Sequence, residues 1–493
     1  MIECMFDIDL PDLDVLRGSD DAGLVDAMRS AVQLESAIIA RKFAAVAALY
    51  HRRLAEQDAD EREQWCVDGW EQVAAEVAAA QGISRGRAAG QLRYGLALAE
   101  RLPKLGALFA AGNVDFRVIS AVVFRTELMI ETDALMRLDR WLSRTAHRWS
   151  RWSYNKIVEV VDYWIQQLEP AAVRVAREAD ENRHISIAPL HSGMAEIWGD
   201  VRAPDALALD RRLDELAATV CWADPRTKVQ RRADALSALA GRAIAMACLC
   251  GSPDCPAANS EATVGDVVIH VLADVATVSG NSSAAGYVPG FGGLPAQAVR
   301  ELAICAKLRS VVHPKDRPPE SHYRPSAALA DFIRCRDLTC RFPGCDRPAE
   351  HADIDHTVPY PLGPTHASNL KLLCRTHHLL KTFYTGPNGW RDCQEPDGTV
   401  TWTSPSGHIY ITKPGGSLFF PVLGVPTGEL KLPRWRLSPG DHRGLMMPSR
   451  RRTRTEDRAA RISWERGINE ARIAGEAARR AAAIAACNDP PPF

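Results

Sequence analysis

The sequence predicts a multidomain chain: a mainly α N-terminal region with a small β-containing part, a small Cys/His-rich C-terminal module, and a basic helical tail. Three observations carry this expectation. The 493 residues exceed what one ordinary hydrophobic core holds, so two or three domains are expected. Apolar residues at seven-residue spacing mark a long helix near the N-terminus. Cysteines and histidines gather between Cys340 and His378 at spacings typical of metal ligands. Hydrophobic residues make up 46% and charged residues 25%, as in a soluble globular protein. Lys and Arg total 60 against 61 for Asp and Glu, so global charge announces no polyanionic partner and any such surface must be local.

Taken in order, residues 1–20 are acidic and turn-rich and read as a loose lead-in. The start lacks a charged segment with an apolar core, and no apolar run reaches the length of a membrane span. With no export signal, the 13 cysteines are expected as reduced thiols or metal ligands in a cytoplasmic protein. A mostly helical domain is expected over 21–310. Its first helix runs from Asp21 to about Glu56, with Leu24, Ala31, Ile38 and Ala45 repeating by sevens beside Leu34 and Ala48.

Between Val73 and Leu98 a helix-turn-helix is possible in principle, Gly82 closing the first helix and Ser84 capping the second. Arg85, Arg87, Gln91 and Arg93 then fall where a DNA-reading helix wants them, although Gly86 and Gly90 weaken that helix and an ordinary helical hairpin is the expected case. Arg140 to Lys156 interleaves cationic residues with Trp141, Trp149 and Trp152; a helix junction with core tryptophans is expected over a nucleic-acid platform. A hairpin is expected near Ile185 to Trp198, helices near 204–220 and 231–248, and a strand at Val267 to Leu272. Cys248, Cys250 and Cys255 could hold a metal only with a fourth ligand from elsewhere, and none is adjacent, so unligated thiols are expected.

A Pro-rich linker is expected over 311–323, the C-terminal module over 324–421, a loop or linker over 422–448, and an Arg/Ala-rich helical tail over 449–493. In the module, Cys340 and Cys345 form a C-x4-C pair and Cys374 with His377 a C-x2-H pair. Two short turns, each aiming two soft ligands at one point, suit a closed tetrahedral Zn²⁺ site. Asp355 and His356 are adjacent in an extended segment, so their side chains point to opposite faces: one can hold a hard cation while the other stays free as a base. His378 could complete the second metal's shell, and Asn369 precedes the short apolar strand Leu370 to Leu373. A further hairpin is expected around Val400 to Tyr410.

These residues resemble the HNH, or ββα-metal, endonuclease domain, a hairpin and helix with a catalytic cation between them. The resemblance implies His356 as general base, Asp355 and His378 as ligands of a divalent cation (Mg²⁺ or Mn²⁺, with Zn²⁺ or Ni²⁺ as alternatives), and Asn369 as the central Asn. It implies Cys340, Cys345, Cys374 and His377 as a structural zinc clip. His377 stands where many members have a fourth Cys, which leaves His377 and His378 both open as the fourth ligand. Nearly the whole chain is similar to actinobacterial, mostly mycobacterial, repeat-family proteins with a helical N-terminal domain. The implied function is metal-dependent hydrolysis of DNA phosphodiester bonds, and a homodimer is compatible with it. Lys381, and Arg85, Arg87, Gln91 and Arg93 on the DNA-reading version of their helix, are weaker candidate nucleic-acid contacts. The alternative is a non-catalytic, zinc-stapled DNA-binding accessory protein of a mobile element.

Overall fold

The computed structural model describes residues 12–56, 62–174, 183–190, 193–257, 269–315, 317–384, 389–430 and 446–488. The chain divides into two compact units: Met1–Val175 with Val312–Phe493, and Ala176–Val311. Of the domain expected over 21–310, residues 21–175 lie in the first unit and 176–310 in the second. Its first part joins the C-terminal module, because the two share a hydrophobic cluster.

The first unit begins with α1 (Leu13–Gly18), inside the expected lead-in, and α2 (Asp21–Ala55), whose N-cap Asp20 accepts from the Gly23 amide. The buried face of α2 is Ala37, Ala40, Phe43, Val46 and Ala47, not the predicted stripe; Leu24 is 37% and Ile38 53% exposed. Phe43 decides the rotation of the helix. Its ring stacks on Tyr94 and meets Phe109 and Phe116, and large aromatic contacts outweigh an alanine-rich repeat. The helices α3 (Gly69–Gln81) and α4 (Arg85–Leu96) follow, with Gly82 left-handed at φ 60° and Ser84 accepting from the Arg87 amide, as the sequence predicts.

Next come α5 (Pro103–Ala110), α6 (Phe116–Arg125), α7 (Thr132–Thr145) and α8 (Tyr154–Leu168), around a core of Phe109, Ile119, Leu138, Leu142, Trp149 and Ile165. The tryptophans belong to this core: Trp141 lies 4.7 Å from Trp164 and 5.4 Å from Trp149, which stacks on Trp152.

In the second unit, β1 (His184–Pro189) pairs antiparallel with β2 (Ala195–Asp200). The helices α9 (Ala203–Ala217) and α10 (Lys228–Ala240), the short hairpin β3 (Gly286–Val288) and β4 (Gly292–Leu294), and α11 (Ala296–Cys305) also belong to it. The strand expected at Val267 to Leu272 lies partly outside the described residues; its end, Leu272, bridges to Tyr287.

The C-terminal part of the first unit opens with α12 (Ala327–Asp337). The strand β5 (Ala352–His356) pairs antiparallel with β6 (Leu370–Cys374), which runs directly into α13 (Arg375–Phe383). A sheet of β7 (Arg391–Gln394), β8 (Val400–Thr403) and β9 (Ile409–Thr412) covers one side, three strands where a hairpin was expected. Buried Arg336 and Asp337 pin the start of β6: the guanidinium donates to the Ala367 and Leu370 carbonyls, and Asp337 accepts from the Leu372 amide. The last helix, α14 (Arg454–Asn488), is not a free arm. Arg454 meets Asp68 and Glu71, Arg461 meets Glu127, Arg466 meets Glu169, and Asn469 donates to the Ala171 and Val173 carbonyls. Among the described residues, no helix is long and apolar enough to cross a membrane.

Candidate functional site

The β5–β6 hairpin and α13 bring two adjacent centres together. In the first, Cys340, Cys345, Cys374 and His377 converge so that one donor atom from each lies within 4.8 Å of the others. The His377 Nδ1 is 3.3 Å from the Cys374 sulfur and 3.5 Å from that of Cys340. A tetrahedral Zn²⁺ with bonds of roughly 2.0–2.3 Å needs donors about 3.5–3.8 Å apart, so the four fit that ion. Adjacent helical residues diverge by about 100°, which separates the two histidines: His377 turns to the sulfurs and stacks on Phe342 at 4.0 Å, while His378 turns to the acids. Hydrogen bonds from Cys340 and Cys345 hold the Cys374 thiol far below its usual range, whereas burial pushes Cys340 up.

This centre lies at the junction with the helical half. Val67, Ala75 and Ala79 share a hydrophobic cluster with Cys340, Phe342, Leu373, Cys374, Leu380, Trp390 and Trp402. The Tyr384 hydroxyl donates to the Val67 carbonyl. Gly344, at φ 75°, lies where a Cβ would come within 2.7 Å of the Ile83 carbonyl oxygen, so the first cysteine turn is pressed against the α3–α4 corner.

The second centre uses both faces of β5. Asp353 and Asp355 share one face, two residues apart. His378 lies between them, Nδ1 3.0 Å from Asp353 and Nε2 3.5 Å from the Asp355 Oδ1. The other oxygen of Asp355 is held by two buried ammonium groups, Lys371 at 2.7 Å and Lys381 at 2.6 Å, and both also meet Asp392. Burial opposes ionisation of Asp355, but Lys371 and Lys381 outweigh it and keep the carboxyl well below the usual carboxylate range. An octahedral cation with bonds near 2.1 Å separates adjacent donors by about 3 Å, so the Asp355 Oδ1 and His378 Nε2 stand close to bridging distance.

His356 is on the opposite face, stacked on Tyr323 and 2.9 Å from the Thr365 hydroxyl through Nε2. That hydroxyl donates its proton to the His322 carbonyl, so it accepts from Nε2–H and leaves Nδ1 with a free lone pair. His322 and Tyr323 belong to the expected linker, which is thus part of the site. Burial pushes the imidazole down to about 4, with the Asp355 charge opposing and those of Lys381 and Lys371 assisting. Its folded value lies below the unfolded value of about 6.5, so the unfolded chain takes the proton first. The stability this group contributes is complete above about pH 6.5 and is lost as pH falls toward 4. An NMR titration of the metal-free protein should place the His356 midpoint between pH 3.5 and 5; a midpoint above 6 contradicts it.

Asn369 is fully buried and fastens the loop after β5: its carbonyl accepts from the Val358 amide and its amide donates to the Val358 and Pro364 carbonyls. Lys381 is a correction to the expected nucleic-acid contact. It is buried, and its ammonium is enclosed by Asp355, Asp392 and the His356 carbonyl. Arg85 is held between Glu71 and Thr376, and Gln91 exchanges hydrogen bonds with Gln81, so these two are tied within the fold. Arg87 and Arg93 are exposed. His366 is buried and bonded to the Arg317 carbonyl.

Sequence reasoning missed Asp353, Asp392 and Lys371. The signal for the last was present: a lysine inside the apolar strand Leu370–Cys374, directly opposite Asp355 in register, needs a buried counter-charge. Replacing Lys371 by Met removes one partner from this four-charge group and should cost about 3–5 kcal/mol. A urea unfolding midpoint within error of wild type would contradict that arrangement.

The fold and site thus define a mainly helical protein whose C-terminal hairpin and helix bring together a Cys₃His group that could hold a metal ion, beside the Asp355–His378 pair. The chain belongs to the family described as "Domain of unknown function (DUF222)", which it matches over residues 30–337. It is 46% identical over 512 aligned residues to the "Uncharacterized protein Rv2100" of Mycobacterium tuberculosis (strain ATCC 25618 / H37Rv), covering 95% of this chain and 92% of the relative. It is 45% identical to the "Uncharacterized protein Rv3776" of the same strain, covering 94% and 93%. No solved structure matches the chain.

Proposed function

We propose that the chain is a metal-dependent endonuclease of the HNH type, hydrolysing DNA phosphodiester bonds. The observation that supports this most is the meeting of the Asp355 carboxylate with the His378 ring at 3.5 Å, on a hairpin–helix unit whose neighbouring residue is a neutral histidine. A divalent cation held by Asp355 and His378 would supply charge stabilisation at the scissile phosphate and the leaving 3′ oxygen. His356 takes the proton of the attacking water at Nδ1, and Thr365 holds the ring in the tautomer that permits this. Asn369 keeps the loop after β5 closed, so the imidazole stays aimed. The Cys₃His group binds structural Zn²⁺ and fixes α13, and with it His378, against the hairpin.

One observation favours a second reading, a non-catalytic DNA-binding accessory protein of a mobile element. Lys371 and Lys381 already neutralise one oxygen of Asp355, which lowers its pull on a cation. Plasmid incubated with the protein and Mg²⁺ or Mn²⁺, with and without EDTA, separates the two. EDTA-sensitive nicking supports the nuclease, and a mobility shift without cutting supports the binder.

A further inference from the structure

We propose that the second unit carries its own metal centre, a four-thiolate Zn²⁺ site made by Cys221, Cys248, Cys250 and Cys255. The sequence offers three of these ligands at close spacing, and folding supplies the fourth: Cys221 follows α9, and its sulfur lies 3.5 Å from that of Cys248. All four sulfurs lie within 4.8 Å of one another. A tetrahedral Zn²⁺ with Zn–S bonds near 2.3 Å needs sulfurs about 3.8 Å apart, whereas a disulfide needs about 2.05 Å. The four converge on one point instead of pairing off, and all are free thiols.

The backbone around them is built to hold that geometry. Asp224 accepts from the Leu249 amide, between two of the ligands, and from the Arg226 amide. The Arg226 guanidinium meets Asp224 at 2.8 Å and donates to the Ala247 carbonyl, so the turn after Cys221 is tied to the loop carrying Cys248 and Cys250. Cys248 donates its amide to the Ala257 carbonyl, and Gly251, at φ 73°, allows the turn between Cys250 and Cys255.

The need for an ion follows from the core. The buried hydrophobic cluster beside α9 and α10 consists of Leu216, Val220, Ala235, Met246, Cys248 and Cys255, two of them ligands. Cores this small are commonly stapled by disulfides or a structural metal. Four soft thiolates select Zn²⁺ over Mg²⁺ or Mn²⁺. The inference does not rest on nuclease activity.

Metal analysis of the purified full-length protein tests it. Two Zn²⁺ per chain are expected. Stepwise capping of thiols with a mercurial should release one of them with four sulfurs and the other with three. Cys221→Ser should hold one Zn²⁺, with α9 and α10 becoming protease-sensitive. Should that variant fail to fold, the mercurial titration of the wild type decides alone. A wild-type protein in which no Zn²⁺ is released with four sulfurs, an unchanged content in Cys221→Ser, or a native Cys221–Cys248 disulfide found by alkylation and mass mapping would overturn the proposal.

Discussion

His356→Ala is expected to lower metal-dependent DNA cleavage about 10²–10⁴-fold, the usual contribution of a general base, while leaving zinc content unchanged. The physical ground is the separation of the two faces of β5. Asp355 faces His378 on α13 and the buried lysines, whereas His356 faces Thr365 and Tyr323, so removing the His356 imidazole leaves the Asp355–His378 pair untouched. The neutral ring keeps an unprotonated Nδ1 at physiological pH because burial works against its cation. Equal initial nicking rates for the purified variant and wild type would remove His356 from the mechanism. Loss of zinc together with activity would point to misfolding instead.

Cys374→Ser should cost the protein the Zn²⁺ of the Cys₃His group and unfold the hairpin–helix module. Structural zinc contributes roughly 10–16 kcal/mol of apparent binding free energy at neutral pH, well above what one small core retains. The damage should spread. Cys374 shares its hydrophobic cluster with Val67, Ala75 and Ala79, and Tyr384 at the C-terminal end of α13 donates to the Val67 carbonyl. Loosening of α3 should accompany loss of the module, read as amide exchange or proteolysis in residues 62–96. A folded, zinc-free Cys374→Ser protein with protected α3 amides would refute both the clip and its bridging role.

Local features of the fold were legible because they depend on neighbours in sequence. The boundaries of α2, the left-handed Gly82, the Ser84 cap and the β1–β2 hairpin follow from caps, turns and alternation. The rotation of α2 was not, since Phe43 meets Tyr94, Phe109 and Phe116 from other helices. The same limit applies to α14, whose arginines look free in sequence and meet Asp68, Glu71, Glu127 and Glu169 in space.

By itself the sequence determined which residue types could act as ligands and base, and in what order, because paired cysteines and a neighbouring acid and imidazole are spacings along the chain. Only the tertiary structure decided which histidine turns to the sulfurs, that Lys381 is buried against Asp355, and that Cys221 joins three distant thiols. Each of these depends on where a helix or loop packs relative to segments tens of residues away. Burial and charge compensation there are set by the whole unit, and no local spacing records them.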